Sequence, residues 1–149
     1  MTIDHKPIER QVLHMKRRFS ALFLTVFVVV ATLCVSASAT RTTITLPENY
    51  GWVSKSATRS GSYSYTEARC HSVYPTGGGA DFFGKIRVKV TDTSNNNICD
   101  KTYYTLDEGA TSNTKIYLEE GELDHTSIRF KFCGNSNAGA KADVTYLAK

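Results

Sequence analysis

The chain reads as an all-β protein: a single antiparallel β-sandwich, jelly-roll or immunoglobulin-like, of about eight strands, lying behind a cleaved signal peptide. Three observations predict this. Short runs of alternating apolar and polar residues recur from Thr40 onward, turn-forming residues separate them, and no window there repeats with the helical period of about 3.6 residues. Ahead of them stands a different kind of segment altogether.

That segment, Ala21 to Val35, is an apolar run preceded by Lys16, Arg17 and Arg18 and followed by "SASA" ending at Ala39. Basic end, apolar core and small residues are the parts of a secretory signal. The expected cut falls before Thr40, with a cut after Ala37 as the second choice. The domains are therefore 1–39, an N-terminal extension and signal peptide, and 40–149, a secreted β-sandwich. "MTIDHKPIERQVLH" has no role in such a signal, and Met15 opens an ordinary one at "MKRRF". An uncleaved anchor fits less well, because the unbroken apolar run is shorter than the roughly 20 residues a bilayer core requires. Cys34 follows Leu33, where lipid-modified cysteines follow a small residue.

Cleavage changes the charge. Lys6, Arg10, Lys16, Arg17 and Arg18 leave with Asp4 and Glu9, so the formal +4 of the whole chain falls to +1. No basic patch or run is expected in what remains, and the expectation is no nucleic-acid partner and no membrane attachment after signal cleavage.

The strands follow in order. "RTTITLP" ends at Pro47, "GWVSKSATR" at the Ser60-Gly61 turn, and "SYSYTEARCHSVY" at Pro75. "KIRVKVT" is the clearest half-buried strand, with Ile86, Val88 and Val90 alternating against Arg87 and Lys89. "DTSNNN" breaks it, and a strand is expected from Ile98 to Leu106. "TKIYLEE" follows the turn "DEGATSN", Gly121 punctuates, and "SIRFKF" leads through "GNSNAGA" to the closing "KADVTYLA". β-branched and aromatic residues dominate these runs, as a pleated surface favours.

Three cysteines, Cys70, Cys99 and Cys133, remain after cleavage, an odd number for an oxidising compartment. Cys133 is out of phase with Ile128, Phe130 and Phe132. Cys99 is out of phase with Ile98, Tyr104 and Leu106. Both are expected to point away from the core, which favours a Cys99–Cys133 disulfide and leaves Cys70 as a free or intermolecular thiol, with a disulfide-linked dimer as one outcome.

No motif supports an enzyme. "TGGGADFFGK" (Thr76 to Lys85) resembles half of a phosphate-binding loop, but Ile86 stands where Ser or Thr must hold magnesium, and a strand follows where a helix is needed. The loop reads as a flexible connection in which Gly77, Gly78 and Gly79 permit positive φ, with Phe82 and Phe83 plugging the sandwich end; it is also a candidate binding loop. "SNTK" (Ser112 to Lys115) has serine–lysine spacing on a turn and strand, where that chemistry needs a helical turn. Adjacent strand residues point to opposite faces, so Cys70 and His71 are a poor metal pair. "DTSNNN" lacks the glycine and distal glutamate of a calcium loop. Glu119, Glu120, Glu122 and Asp124 crowd one turn rather than facing each other across a cleft. No cofactor and no metal are expected.

The aromatic residues are the more suggestive group. Tyr50 and Trp52, and likewise Tyr63 and Tyr65, stand two apart, a spacing that gives each pair one strand face and a flat platform. Such rings suit protein interfaces and sugar surfaces. A small sandwich poor in leucine must also fill its core, so at least half of the tyrosines and Trp52 are expected inside. The leading expectation is a secreted, non-enzymatic binding or interaction protein whose partner is an extracellular protein or glycan, met through Tyr50, Trp52, Tyr63 and Tyr65. A bacteriocin-like toxin or inhibitor is the alternative from another class, and a disulfide-linked structural subunit a third.

Overall fold

The computed structural model describes residues 38–61, 63–76 and 84–149. The signal segment and the loop holding Gly77, Gly78, Gly79, Phe82 and Phe83 lie outside the described residues.

Among the described residues eight strands form: β1 (Thr40–Leu46), β2 (Trp52–Thr58), β3 (Tyr65–Pro75), β4 (Lys85–Thr91), β5 (Tyr104–Asp107), β6 (Thr114–Tyr117), β7 (Ser127–Gly134) and β8 (Ala140–Leu147). They make two four-stranded sheets, ordered β1-β8-β3-β6 and β2-β7-β4-β5. Every ladder is antiparallel. The pairing is nested: β1 joins β8, β2 joins β7, β3 joins β6 and β4 joins β5, and the ladders β3–β8 and β4–β7 complete the sheets. This is the jelly-roll arrangement. An immunoglobulin-like sandwich would instead place the first two strands in one sheet.

Alternation decides which side chains meet between the sheets. On β4, Ile86, Val88 and Val90 are fully buried while Arg87 and Lys89 stand on the other face. Ile128, Phe130 and Phe132 do the same on β7, and Ile44 and Leu46 close β1. Phe130 and Phe132 stack at 6.3 Å with Tyr146 at 5.0 and 6.1 Å, so three rings fill the centre. Each such apolar side chain stabilises the fold by about 1.5–3 kcal/mol.

Two expectations are corrected. Of Trp52 and the tyrosines, only Tyr104 and Tyr146 are buried, so most of these rings are not core. Phenylalanine with Ile, Val and Ala fills the space instead, because tyrosine would need a partner for each buried hydroxyl. Tyr104 has such partners: its hydroxyl bonds the Asp100 carboxylate and accepts from the Tyr117 N–H at 3.0 Å. The strand expected from Ile98 to Leu106 is confined to β5, with an isolated bridge at Cys99. The Asn97 side-chain amide donates to the carbonyls of Cys99 and Lys101 and curls the chain between them. A β-bulge between Cys70 and Ser72 breaks the phase of β3, so that Thr66, Ala68, Cys70 and then Val73 are buried.

The cysteines are a further correction. All three are free and buried. Cys70 and Cys99 belong to the core cluster, and the Val90 N–H donates to the Cys99 Sγ at 3.0 Å. Cys133 pairs in register with Arg87 and Trp52 on the outer side of the second sheet. The phase reading holds for Cys133 and fails for Cys99, whose segment is curled: Cys99 joins the core cluster beside the β4 backbone, while Cys133 is on β7 with the outward-facing residues. Full burial likewise leaves the Cys70 thiol without access to a second chain.

Candidate binding surface

The outer face of the second sheet is built by β2, β7, β4 and β5. Register aligns its side chains in transverse rows: Trp52, Cys133, Arg87 and Thr105 in one, Ser54, Lys131 and Lys89 in the next, Ser56, Arg129 and Thr91 in the third. Two residues along each strand separate the rows, about 6.6 Å. Asp107, opposite Lys85 at one corner, is the single carboxylate in these four strands.

Aromatic rings hold two cations of this face in place. The Arg87 guanidinium lies 5.2 Å from the Tyr50 ring centre and 4.8 Å from that of Tyr103. Lys89 reaches diagonally over β7, its Nζ 4.7 Å from the Trp52 ring centre. Each contact contributes about 0.5–1 kcal/mol at an exposed site. Beneath them Cys133 is buried, flanked in its row by Arg87 and Trp52; burial pushes its thiol pKa up, against the pull of Arg87 and Lys89.

The turn before β2 presents Tyr50 to this face at a conformational cost. Asn49 and Tyr50 have φ of 55° and 57°, and the Gly51 N–H donates to the Glu48 carbonyl at 3.1 Å, closing a four-residue turn. Left-handed backbone at both central positions favours Asn-Gly, and a bulky tyrosine there is strained by about 1–2 kcal/mol. The Asn49 N–H donates to the Asn137 carbonyl at 2.8 Å, which fixes the turn against the β7–β8 connection. The ring it carries is 42% exposed.

The second predicted pair lies elsewhere. Tyr63, just outside β3, and Tyr65 meet edge-on at 5.8 Å, and Tyr117 of β6 joins Tyr65 at 6.0 Å. Lys115 stands 4.5 Å and Lys149 5.1 Å from the Tyr65 ring centre. This cluster belongs to the outer side of the first sheet. The four aromatic residues expected to act together thus form two patches on opposite sheets. Two ion pairs lie on the first sheet: Arg41 forks onto the Asp143 carboxylate, and the Lys149 Nζ is 2.7 Å from Glu67. Arg41 holds the Asp143 carboxyl below its ordinary pKa.

The remaining candidates are placed as follows. Cys70 is in the core while the His71 Nε2 bonds the Thr145 hydroxyl at 2.8 Å. The Asp92 carboxylate accepts from the Ser94 and Asn96 N–H groups, each at 2.8 Å, and from the Asn96 side-chain amide at 2.7 Å, so the "DTSNNN" loop is a turn organised by its own carboxylate. Ser112 lies in a bend and Lys115 on β6. Glu120–Glu122 form a short 3-10 turn, and the Glu122 carboxylate is 2.6 Å from the His125 Nε2. Among the described residues no three His, Cys, Asp or Glu side chains converge as metal ligands.

Sequence reasoning missed Arg87, Lys89, Arg129, Lys131 and Tyr103. The signal for two of them was present, since Arg87 and Lys89 alternate with the core residues of β4. The expectation of no basic patch is corrected, because alternation gathers onto one face cations that form no run in the sequence. No protein-family model matches the chain, and neither a curated protein nor a solved structure matches it.

Proposed function

We propose that this protein is a secreted, non-enzymatic binding module that engages an extracellular partner through the outer face of its second sheet. Tyr50, Trp52 and Tyr103 together with Arg87 and Lys89 are its contact residues. Export rests on the signal-like order of residues 16–39. The observation that carries the binding reading is the strained, exposed Tyr50, held over Arg87 in a turn position where glycine would be relaxed. Strain that the surrounding structure maintains is found at ligand clamps more than elsewhere.

The test is retention of the purified protein on insoluble cell-wall and polysaccharide preparations, with Trp52→Ala and Tyr50→Ala variants in parallel. Retention of the parent and its loss in variants that keep the parent's circular-dichroism spectrum is the expected result. Undiminished retention of both variants rejects this face, and no retention of the parent on any matrix rejects the binding-module reading for such partners.

A further inference from the structure

The four central cations of the outer face, Arg87, Lys89, Arg129 and Lys131, are not neutralised, and three of them, all but Lys131, are oriented by a neighbour. Lys89 and Lys131 are direct cross-strand partners in the β4–β7 ladder. At that position their Cβ atoms are about 5 Å apart, and like charges so placed destabilise a sheet. Both arginines of the face donate to neutral oxygens: the Arg87 Nε to the Asn135 Oδ1 and the Arg129 Nη1 to the Asn95 Oδ1, each at 3.2 Å. A side-chain amide fixes a guanidinium without cancelling its charge, where an aspartate of the same shape would do both. Among the described residues, none of Arg87, Lys89, Arg129 and Lys131 forms an ion pair. The carboxylates near the sandwich lie mostly in its connections, among them Asp92, Asp100, Glu119, Glu120, Glu122 and Asp124. On the first sheet Arg41 pairs with Asp143 and Lys149 with Glu67, while Arg69, Lys115 and Lys141 form no ion pair among the described residues.

We infer that this face binds an anionic polysaccharide, whose carboxylate or sulfate groups lie over Arg87, Lys89, Lys131 and Arg129. The inference rests on the proposed reading of the face as the binding surface. A flat array of fixed cations two strands wide fits a polymer with repeated anionic groups, and guanidinium forks match planar or tetrahedral oxyanions. The hydroxyls of Ser54, Ser56 and Thr105, all exposed beside the cations, offer partners for sugar hydroxyls. Tyr50 and Tyr103 bring amphipathic rings at its margin. An acidic peptide would want apolar pockets, and a lipid surface would want protruding aliphatic side chains; the outward-facing strand positions of this face carry neither, since its one small apolar residue, Cys133, is buried.

The experiment measures affinity of the purified protein for polygalacturonate and for a heparin fragment. Neutral dextran, duplex DNA and phosphatidylglycerol vesicles serve as comparators, each in low and high salt. Two variants accompany it, Lys89→Gln with Lys131→Gln, and Asn95→Asp with Asn135→Asp. Salt-sensitive binding to an anionic polysaccharide, at least about tenfold weaker in each variant, is the expected result, with the lysine variant melting no lower than the parent because the opposed charges are gone. Equal or tighter binding to DNA or to the vesicles overturns the polysaccharide assignment. So does polysaccharide binding that neither variant weakens. Retention on a neutral matrix without any polyanion binding overturns this inference and leaves the binding-module reading standing, whereas absence of both removes the two together.

Discussion

The guanidinium of Arg59 donates to the backbone oxygen of Lys149 at 2.7 Å, across 90 residues of sequence. The same group also donates to the carbonyls of Leu123, His125 and Tyr63 and is 5% exposed. Burial lowers its pKa, and Asp124 acts in the opposite direction. One buried cation thus ties the β2–β3 connection, the β6–β7 connection and the segment after β8 into a single end. Replacement by lysine keeps the charge but cannot fork to several carbonyls. Arg59→Lys is expected to cost about 3 kcal/mol, read as a lowered denaturant midpoint; a change within error would mean that the carbonyls find water at no cost.

Gly51 closes the turn that carries Tyr50. A Cβ there would stand 2.7 Å from the Pro47 Cβ, and a proline ring has no freedom to move aside. Gly51→Ala is therefore expected to destabilise the protein by about 1–3 kcal/mol. It should also weaken partner binding, through displacement of Tyr50 from Arg87, and comparison of binding at a temperature where the variant is fully folded separates the two effects.

The thiols give a check on both faces at once. Burial pushes Cys70 up to about 12 and Cys99 up to about 11, so neither carries reactive thiolate near neutral pH. A disulfide-exchange reagent is expected to leave all three of these cysteines untouched in the native protein and to modify each of them in denaturant. Trp52→Ala should open Cys133 alone, since that ring flanks it on the outer face. Modification of Cys70 in the folded variant would contradict the packing described.

Acid should loosen the first sheet. The hydrogen bond from Arg41 depresses the Asp143 pKa, and burial works against it. At Glu67 burial raises the pKa, yet the hydrogen bonds from Lys149 and Asn113 outweigh it and the net direction is down. A carboxyl with a depressed folded-state pKa stabilises above its unfolded pKa and loses that contribution as pH falls through the folded one. Thermal midpoints are expected to hold near neutrality and to fall below about pH 4. Asp143→Asn should lower the midpoint at neutral pH and flatten the acid limb; an unchanged acid limb would assign the loss to other carboxylates.

Much of the architecture is legible in the sequence, and the reason is the period of two. β4 is written out by Ile86, Val88 and Val90, and the nested pairing merely assembles strands already marked by Pro47, Gly61 and Pro75. What escapes is whatever depends on a distant partner. Nothing local marks Arg59 as buried, and nothing in two loops marks Asn95 and Asn135 as the residues that aim Arg129 and Arg87. The bulge in β3 and the curl at Asn97 both reverse a phase that the residues alone suggest. The basic face was hidden for a different reason: a net charge of +1 over residues 40–149 sums acids in the connections with bases on a sheet, and only the folded register separates them.

The nested pairing also sets an order of events. β1 lies at a sheet edge with β8 as its one neighbour, and β2 likewise depends on β7. A chain synthesised from its N-terminus holds its first two strands without partners until its last two exist. Among the described residues only the β4–β5 ladder joins consecutive strands, so contacts between distant segments dominate and folding belongs to the millisecond-to-second range. β3 and β4 can pair with β6 and β5 while the chain is still short, but neither sheet reaches its full width until β7 and β8 slot between strands made long before them, so the last-made segment is the one that closes the molecule.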